Sequence, residues 1–286
     1  MSLAFTKMQA CGNDFIVLDD RAGRLAGQEP ALARRLCHRR FGVGADGVLV
    51  VREGRAAGAF HMMLVNADGL EGEMCGNGAR CVAAWLRERG LCAGDHAALE
   101  TLAGAVQAAF EPGGGIRLTL PPPGALTPPR TIPFEGRDWT VHALDVGPPH
   151  AVTLVADARA LAQAPVVALG RHVRHHPAFA PRGCNVNFVA VDPDGRLRLR
   201  TYERGVEDET LGCGTGATAA AIVCRALGLA GEQVRVLTSS GDELHIDLSH
   251  PQAPTLGGTA QGVADGRVLD GWLSAQAPAP IAEAVA

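Results

Sequence analysis

Two cysteines carry the chemistry that can be read from this chain. Cys75 heads the run Cys-Gly-Asn-Gly-Ala-Arg, and Cys213 heads Cys-Gly-Thr-Gly-Ala. The glycines let the backbone turn tightly and let another group approach it closely. After the first run, Val82, Trp85 and Leu86 recur at helical spacing, so a helix is expected from Ala79 to a stop at Gly90. Each sulfur is therefore expected at or just before a helix N-terminus, where unpaired N–H groups favour an anion. Two consequences are expected together: an easier ionisation of the thiol and a seat for a substrate carboxylate beside it. A buried structural cysteine before an ordinary helix would look the same if only one run were present. The second run lies over the first at a constant offset of 138 residues, at which Glu71 meets Glu209 and Ala83 meets Ala221. A duplicated domain with one thiol per copy follows, the two facing each other across the cleft between copies. A thiolate and a thiol so placed supply a base on one face of a carbon and an acid on the other.

The rest of the chain must position that pair. Its 286 residues suit two domains of ordinary size. With 47% hydrophobic and 20% charged residues the composition is globular, and a net charge of −4 recommends neither nucleic acid nor an acidic membrane as partner. No basic, apolar leader and no apolar run long enough for a bilayer is read, so a cytoplasmic location is expected. Eight cysteines without CxxC spacing are expected to be thiols rather than disulfides or a zinc site. Cys37, Cys81 and Cys224 are expected as core filler, and Cys11, Cys92 and Cys184 have no better claim. The only lysine is Lys7, in a strand-like run. A pyridoxal phosphate enzyme needs a lysine for its Schiff base, so amino-acid chemistry here is expected to run without that cofactor.

In order, strands are expected at 3–8 and 15–18 around the turn Gly12-Asn13, and a helix over 30–39 with Pro30 in its first turn. The run FGVGADGVLVV reads as a glycine-interrupted turn into a strand and lacks the Lys and Ser/Thr of a P-loop. A strand over 59–65 delivers Asn66 just before the Cys75 loop. Strands follow at 98–103, 105–110 and 116–120, and PPPGALTPP, 121–129, has linker composition. The second copy opens with a strand from Trp139 to Val146, the turn Gly147-Pro148-Pro149-His150, and a strand from Val152 to Val155. His150 sits at a turn like that of Gly12-Asn13. Asn185 is displaced from Gly47 by the same 138. Alternating Arg and Leu in RLRLRTYERG suggests a strand with one wet face that ends at Glu203 and Arg204. A hairpin over 233–248, closing strands over 257–272 and an Ala/Pro-rich disordered tail complete the reading.

At this point the chain resembles the diaminopimelate epimerase family, in order from about Phe5 to Trp272. The resemblance rests on GNDF at 12–15, NADG at 66–69, MCGNGAR at 74–80, ERG at 203–205 and GCGTGA at 212–217. It implies an α/β (α+β) protein of two pseudo-symmetric domains, each a curved mixed sheet or barrel around a central helix, with the site in the cleft. The domains implied are 1–121 with closing strands from about 258–273, and 122–257, with 274–286 as the tail. It implies a cofactor-independent isomerase, with no metal, that converts LL-2,6-diaminopimelate to the meso form on the way to lysine and peptidoglycan. Cys75 and Cys213 match the catalytic pair. Gly76, Asn77, Gly214 and Thr215 match the seat of the reacting carboxylate. Asn13, Asn66, Asn185, Glu203 and Arg204 match substrate-binding positions, and His150 and Glu203 match residues that modulate the cysteines. Two departures stand out. Pro148 replaces a substrate-binding Asn of the family's Gly-Asn-Pro-His, and Gly47 stands where some members carry Gln. Two other functions stay open on sequence alone: a racemase of another amino acid using the same thiols, and a non-catalytic, redox-sensitive metabolite-binding protein. The expected partner is a small-molecule amino-acid substrate, with neither nucleic acid nor membrane, and a homodimer is left open.

Overall fold

The computed structural model describes residues 3–92 and 94–274. Its two halves follow one plan. In the first, β1 (Leu3–Ala10) pairs antiparallel with β2 (Asn13–Asp19); helix α1 (Glu29–Leu36) follows. β3 (Gly47–Glu53) then runs parallel to β2 and antiparallel to β4 (Ala59–Asn66), and a short β5 (Glu71–Gly72) turns back on β4. Helix α2 (Gly76–Glu88) crosses, β6 (His96–Thr101) returns parallel to β4, and β7 (Gly104–Phe110) and β8 (Ile116–Thr119) add antiparallel.

The second half repeats the sequence of pairings. β9 (Arg130–Phe134) and β10 (Arg137–Asp145) form a hairpin, and β10 is antiparallel to β11 (Pro149–Leu154). After α3 (Ala158–Ala162) and α4 (Val166–Arg174), β12 (Asn185–Val191) runs parallel to β11 and antiparallel to β13 (Leu197–Glu203). β14 (Asp208–Thr210), α5 (Gly214–Ala226), β15 (Gln233–Leu237), β16 (Glu243–Asp247) and β17 (Thr255–Gly258) stand as their counterparts do. β18 (Gln261–Val268) returns to pair with β1, as β9 pairs with β10, and α6 (Asp270–Ser274) follows. Residues 275–286, nearly all of the tail expected to lack structure, fall outside the described residues.

The halves join through their own equivalent strands. β8 and β17 pair antiparallel, with Leu118 opposite Leu256, so a pseudo-twofold axis runs between them. α2 packs against β1, β8 and β6 of its half, and α5 against β12, β11 and β16 of the other. A helix inside a curved sheet has no solvent face to spare, and the sequences comply. Every residue of α2 from Gly76 to Leu86 is buried, and α5 buries the run Ala219-Ala220-Ala221 with Val223 and Cys224.

Some elements differ from the sequence expectation. α2 begins at Gly76, three residues before Ala79, because the Cys75 sulfur itself caps it, accepting from the Gly78 N–H at 3.4 Å. The expected helix over 30–39 stops at Leu36. β9, α3 and α4 had not been anticipated. α4 carries a legible signal, since Val166, Leu169, Gly170 and Val173 are its buried face at helical spacing.

Candidate active site

Strand register shows which residues of the halves correspond. Phe15 pairs with Gly47 across β2 and β3, and His150 with Asn185 across β11 and β12. Gly47 pairs in turn with Asn66. One step beyond Val186 opposite Tyr202, Asn185 faces Glu203. Phe15, Gly47 and Asn66 thus hold the places of His150, Asn185 and Glu203. Two residues upstream, Asn13 holds the place of Pro148. The turn at His150 does resemble that at Gly12-Asn13, but it is Pro148 that stands where Asn13 stands.

Cys75 and Cys213 are the N-caps of α2 and α5, both in extended backbone conformation. The Cys213 sulfur accepts from the Gly216 N–H at 3.3 Å, as Cys75 does from Gly78. The helix starts nearly touch. A Cβ placed on Gly214 would lie 2.7 Å from Leu256 Cδ2 and 3.7 Å from the Gly76 Cα, so side chains at both positions would hold the helices apart. Among the described residues no group of His, Cys, Asp and Glu is placed to hold a metal ion. Lys7 is ion-paired to Asp14 at 2.6 Å.

A cavity of about 100 Å³ opens beside Cys75. Its walls bring together Asn13, Asn66, Cys75, Pro148, Asn185, Glu203 and Arg204, with Asp46 and Glu73. Gly76, Asn77, His150, Cys213, Gly214 and Thr215 are buried and form no part of that wall. A larger cavity of about 400 Å³ is lined by residues of the second half, His150 and Arg182 among them. It reaches neither cysteine.

Hydrogen bonds fix the polar side chains. Asn13 Nδ2 donates to Asp46 at 2.7 Å, and Asn13 Oδ1 accepts from the Cys75 thiol at 3.6 Å. Asn77 Nδ2 spans the halves, donating to the Gly212 carbonyl at 2.8 Å. Asn185 Oδ1 accepts from the Arg204 N–H at 2.8 Å. Arg204 stands 3.8 Å from Glu73, an acidic residue of the other half. A further row runs behind Cys213. Asn187 Nδ2 donates to His150 Nδ1 at 3.2 Å, which leaves Nε2–H to donate to Thr215 Oγ1 at 3.0 Å. Thr215 Oγ1 lies 3.6 Å from the Cys213 sulfur. Asn187 and Asp46 were missed by sequence reasoning. Asn187 had a signal: it is polar inside the run Val186 to Ala190, all fully buried, and such a side chain needs a partner.

The expectation that helix N-termini make these thiols easier to ionise is not met. Burial pushes Cys75 up to about 11, the Glu203 carboxylate adds to the rise, and the Gly78 and Asn77 N–H groups only partly offset it. Cys213 is raised further, again by burial first and Glu203 second, with Thr215 and Gly216 opposing. Desolvation penalises an anion more than one helix end repays. Burial also lifts Glu203 to about 7 and drops His150 to about 3, helped by the Arg204 charge. His150 is therefore a neutral imidazole at neutral pH.

A family model described as diaminopimelate epimerase matches residues 5–119 and 142–261. A diaminopimelate epimerase of Thioalkalivibrio sulfidiphilus is 43% identical over 251 residues, 82% of this chain and 87% of the relative. One of Aquifex aeolicus is 39% identical over 94% of this chain and 98% of the relative. Among solved structures, a hydroxyproline epimerase of Agrobacterium vitis with bound trans-4-hydroxy-L-proline superposes with a TM-score of 0.73 at 20% identity, covering 93% of this chain and 91% of its own. A phenazine biosynthesis protein of Bacillus anthracis superposes at 0.69 and 15% identity, covering 94% and 99%. At those identities the structures speak for the fold alone.

Proposed function

The chain belongs to the diaminopimelate epimerase family, and on that premise we propose how its residues invert the α-carbon of LL-2,6-diaminopimelate to give the meso form. It is an isomerase of lysine biosynthesis. One observation carries the residue roles: two cysteines cap two helices that start against each other, one from each half.

The reacting carboxylate sits at the paired helix starts, on the N–H groups of Gly76, Asn77, Gly214 and Thr215. Negative charge grows there as the α-proton leaves, and two helix dipoles meet it. In the LL-to-meso direction Cys213 takes the proton and Cys75 gives one; the reverse reaction exchanges the roles. Each sulfur has donors ready for its thiolate form: Gly78 N–H at Cys75, and Gly216 N–H with the Thr215 hydroxyl at Cys213. His150 acts through Thr215. Glu203, whose charge opposes thiolate at both cysteines, modulates them. Arg204 takes the distal carboxylate, and Asn13, Asn66 and Asn185 supply amide contacts. Pro148 supplies neither an amide side chain nor a backbone N–H.

Among the described residues no helix is long and apolar enough to cross a membrane. A cytoplasmic place of action fits thiols that must stay reduced. A substrate panel tests the reading. Diaminopimelate should turn over faster than alanine or proline, because an apolar substrate leaves Arg204 and the asparagines unpaired. Faster turnover of another amino acid would make the chain a racemase of altered specificity.

A further inference from the structure

Arg80 is a fully buried cation with no carboxylate partner among the described residues. Its relative exposure is 0%. Its Nη2 donates to Asn77 Oδ1 at 2.8 Å and to the Cys11 sulfur at 3.3 Å, and its Nε donates to the Thr259 carbonyl at 3.2 Å. All three acceptors are neutral groups, and Nη1 has no hydrogen-bond partner among the described residues. Among the described residues no ion pair includes it. An arginine cannot shed its proton to escape such a site. A buried charge left uncompensated is costly and is kept only where something compensates it.

Its position says what that is. Arg80 is the fifth residue of α2, and its Nη1 is 3.6 Å from where a Cβ on Gly214, the first residue of α5, would be. It therefore stands directly behind both helix starts. Through Asn77 it also sets the contact that ties the halves, since Asn77 Nδ2 reaches the Gly212 carbonyl just before Cys213. The other half has nothing similar: at the offset of 138, Arg80 meets Thr218, whose hydroxyl only bonds back to the Gly214 carbonyl of its own helix. The anion site thus has one built-in charge, on one side.

We propose that Arg80 is the counter-charge of the anion bound at the paired helix starts, a positioning residue that acts from behind them and through Asn77 on the carboxylate of the reacting centre. This rests on the reading of those helix starts as the carboxylate seat. The ground-state carboxylate gains from the charge, and the deprotonated carbon gains more, because the carboxylate oxygens take up added negative charge as the proton leaves. The charge also acts on Cys75 in the sense that favours its thiolate.

The test uses Arg80→Gln, which keeps a donor for Asn77 but removes the charge, and Arg80→Lys, which keeps the charge but not the fork. Turnover of diaminopimelate, the melting temperature of the empty protein, and its rise on adding diaminopimelate are measured for each. In Arg80→Gln we expect kcat to fall roughly 10- to 100-fold with KM changed far less. That is short of the ~10²–10³ lost with a donor in direct contact. The empty protein should melt no lower than wild type, because a buried uncompensated charge has gone, and the ligand-induced rise should shrink. Arg80→Lys should recover most of kcat. A kcat for Arg80→Gln within about twofold of wild type would overturn the proposal, as would Arg80→Lys no better than Arg80→Gln. So would a variant that melts much lower or fails to fold, since Arg80 would then serve the fold. Wild-type protein that binds diaminopimelate without inverting it would instead count against the reading of the function, and the ligand-induced rise would still report on Arg80.

Discussion

At the scale of single residues, the site combines two thiols with surroundings that favour the protonated form of both. Burial dominates, and Glu203 reinforces it. Removing the Glu203 charge should lower both thiol pKa values. Alkylation by iodoacetamide, followed by peptide mapping across pH, should show the midpoints for Cys75 and Cys213 at lower pH in Glu203→Gln than in wild type. Unchanged midpoints would mean that Glu203 is not what holds the thiols protonated. The residue identities were legible early, because Cys-Gly-x-Gly-Ala occurs twice at one offset. Their ionisation was not. A helix N-terminus can be read from sequence, but the depth of burial that outweighs it depends on which strands close over the helix.

At the scale of elements, the two strand turns decide the polar lining. Register puts Pro148 where the other half has Asn13, and both border the cavity. One lost hydrogen bond to a charged group is worth about 1.5–3 kcal/mol, so Pro148→Asn should raise kcat/KM for diaminopimelate by roughly 10- to 150-fold where no other contact already compensates. A fall for diaminopimelate with a gain for another amino acid would show that the proline serves a different specificity. The same strand buries His150. Its folded pKa near 3 lies below the ordinary value of 6.5, so between those values the unfolded chain binds the extra proton. Its contribution to stability is complete above about pH 6.5 and is lost as pH falls toward 3, by up to ~1.4 kcal/mol per pH unit. Urea unfolding across that window should show a steep acid dependence that is shallower in His150→Asn; equal slopes would contradict a neutral buried imidazole. The sequence showed His150 at a turn, but not that Asn187 and Thr215 would take up both ring nitrogens. Those contacts join residues 37 and 65 positions away, and pairing at that distance leaves no local pattern.

At the scale of the molecule, the duplication places the chemistry. Equivalent strands β8 and β17 pair across the pseudo-twofold axis, and that pairing sets the helix starts against each other. The offset of 138 made the duplication visible in the sequence and set Arg80 against Thr218, while Asn13 against Pro148 and Asn66 against Glu203 became visible only through strand register. A cavity of about 100 Å³ is well below the ~300–1,000 Å³ of ordinary ligand sites, so the halves should part to admit substrate and close again. Solution scattering with and without diaminopimelate should register that change, and identical profiles would contradict it.

The central claim is that one thiol from each half serves the two faces of the same carbon. Inversion in D2O followed by NMR tests it most directly, with wild type, Cys75→Ala and Cys213→Ala compared on LL-diaminopimelate. Wild type should form the meso isomer with solvent deuterium at the inverted α-carbon. Either alanine variant should lose at least ~10²–10⁴ of that rate while its melting temperature stays near wild type. Meso product at the wild-type rate from either variant would contradict the two-thiol account.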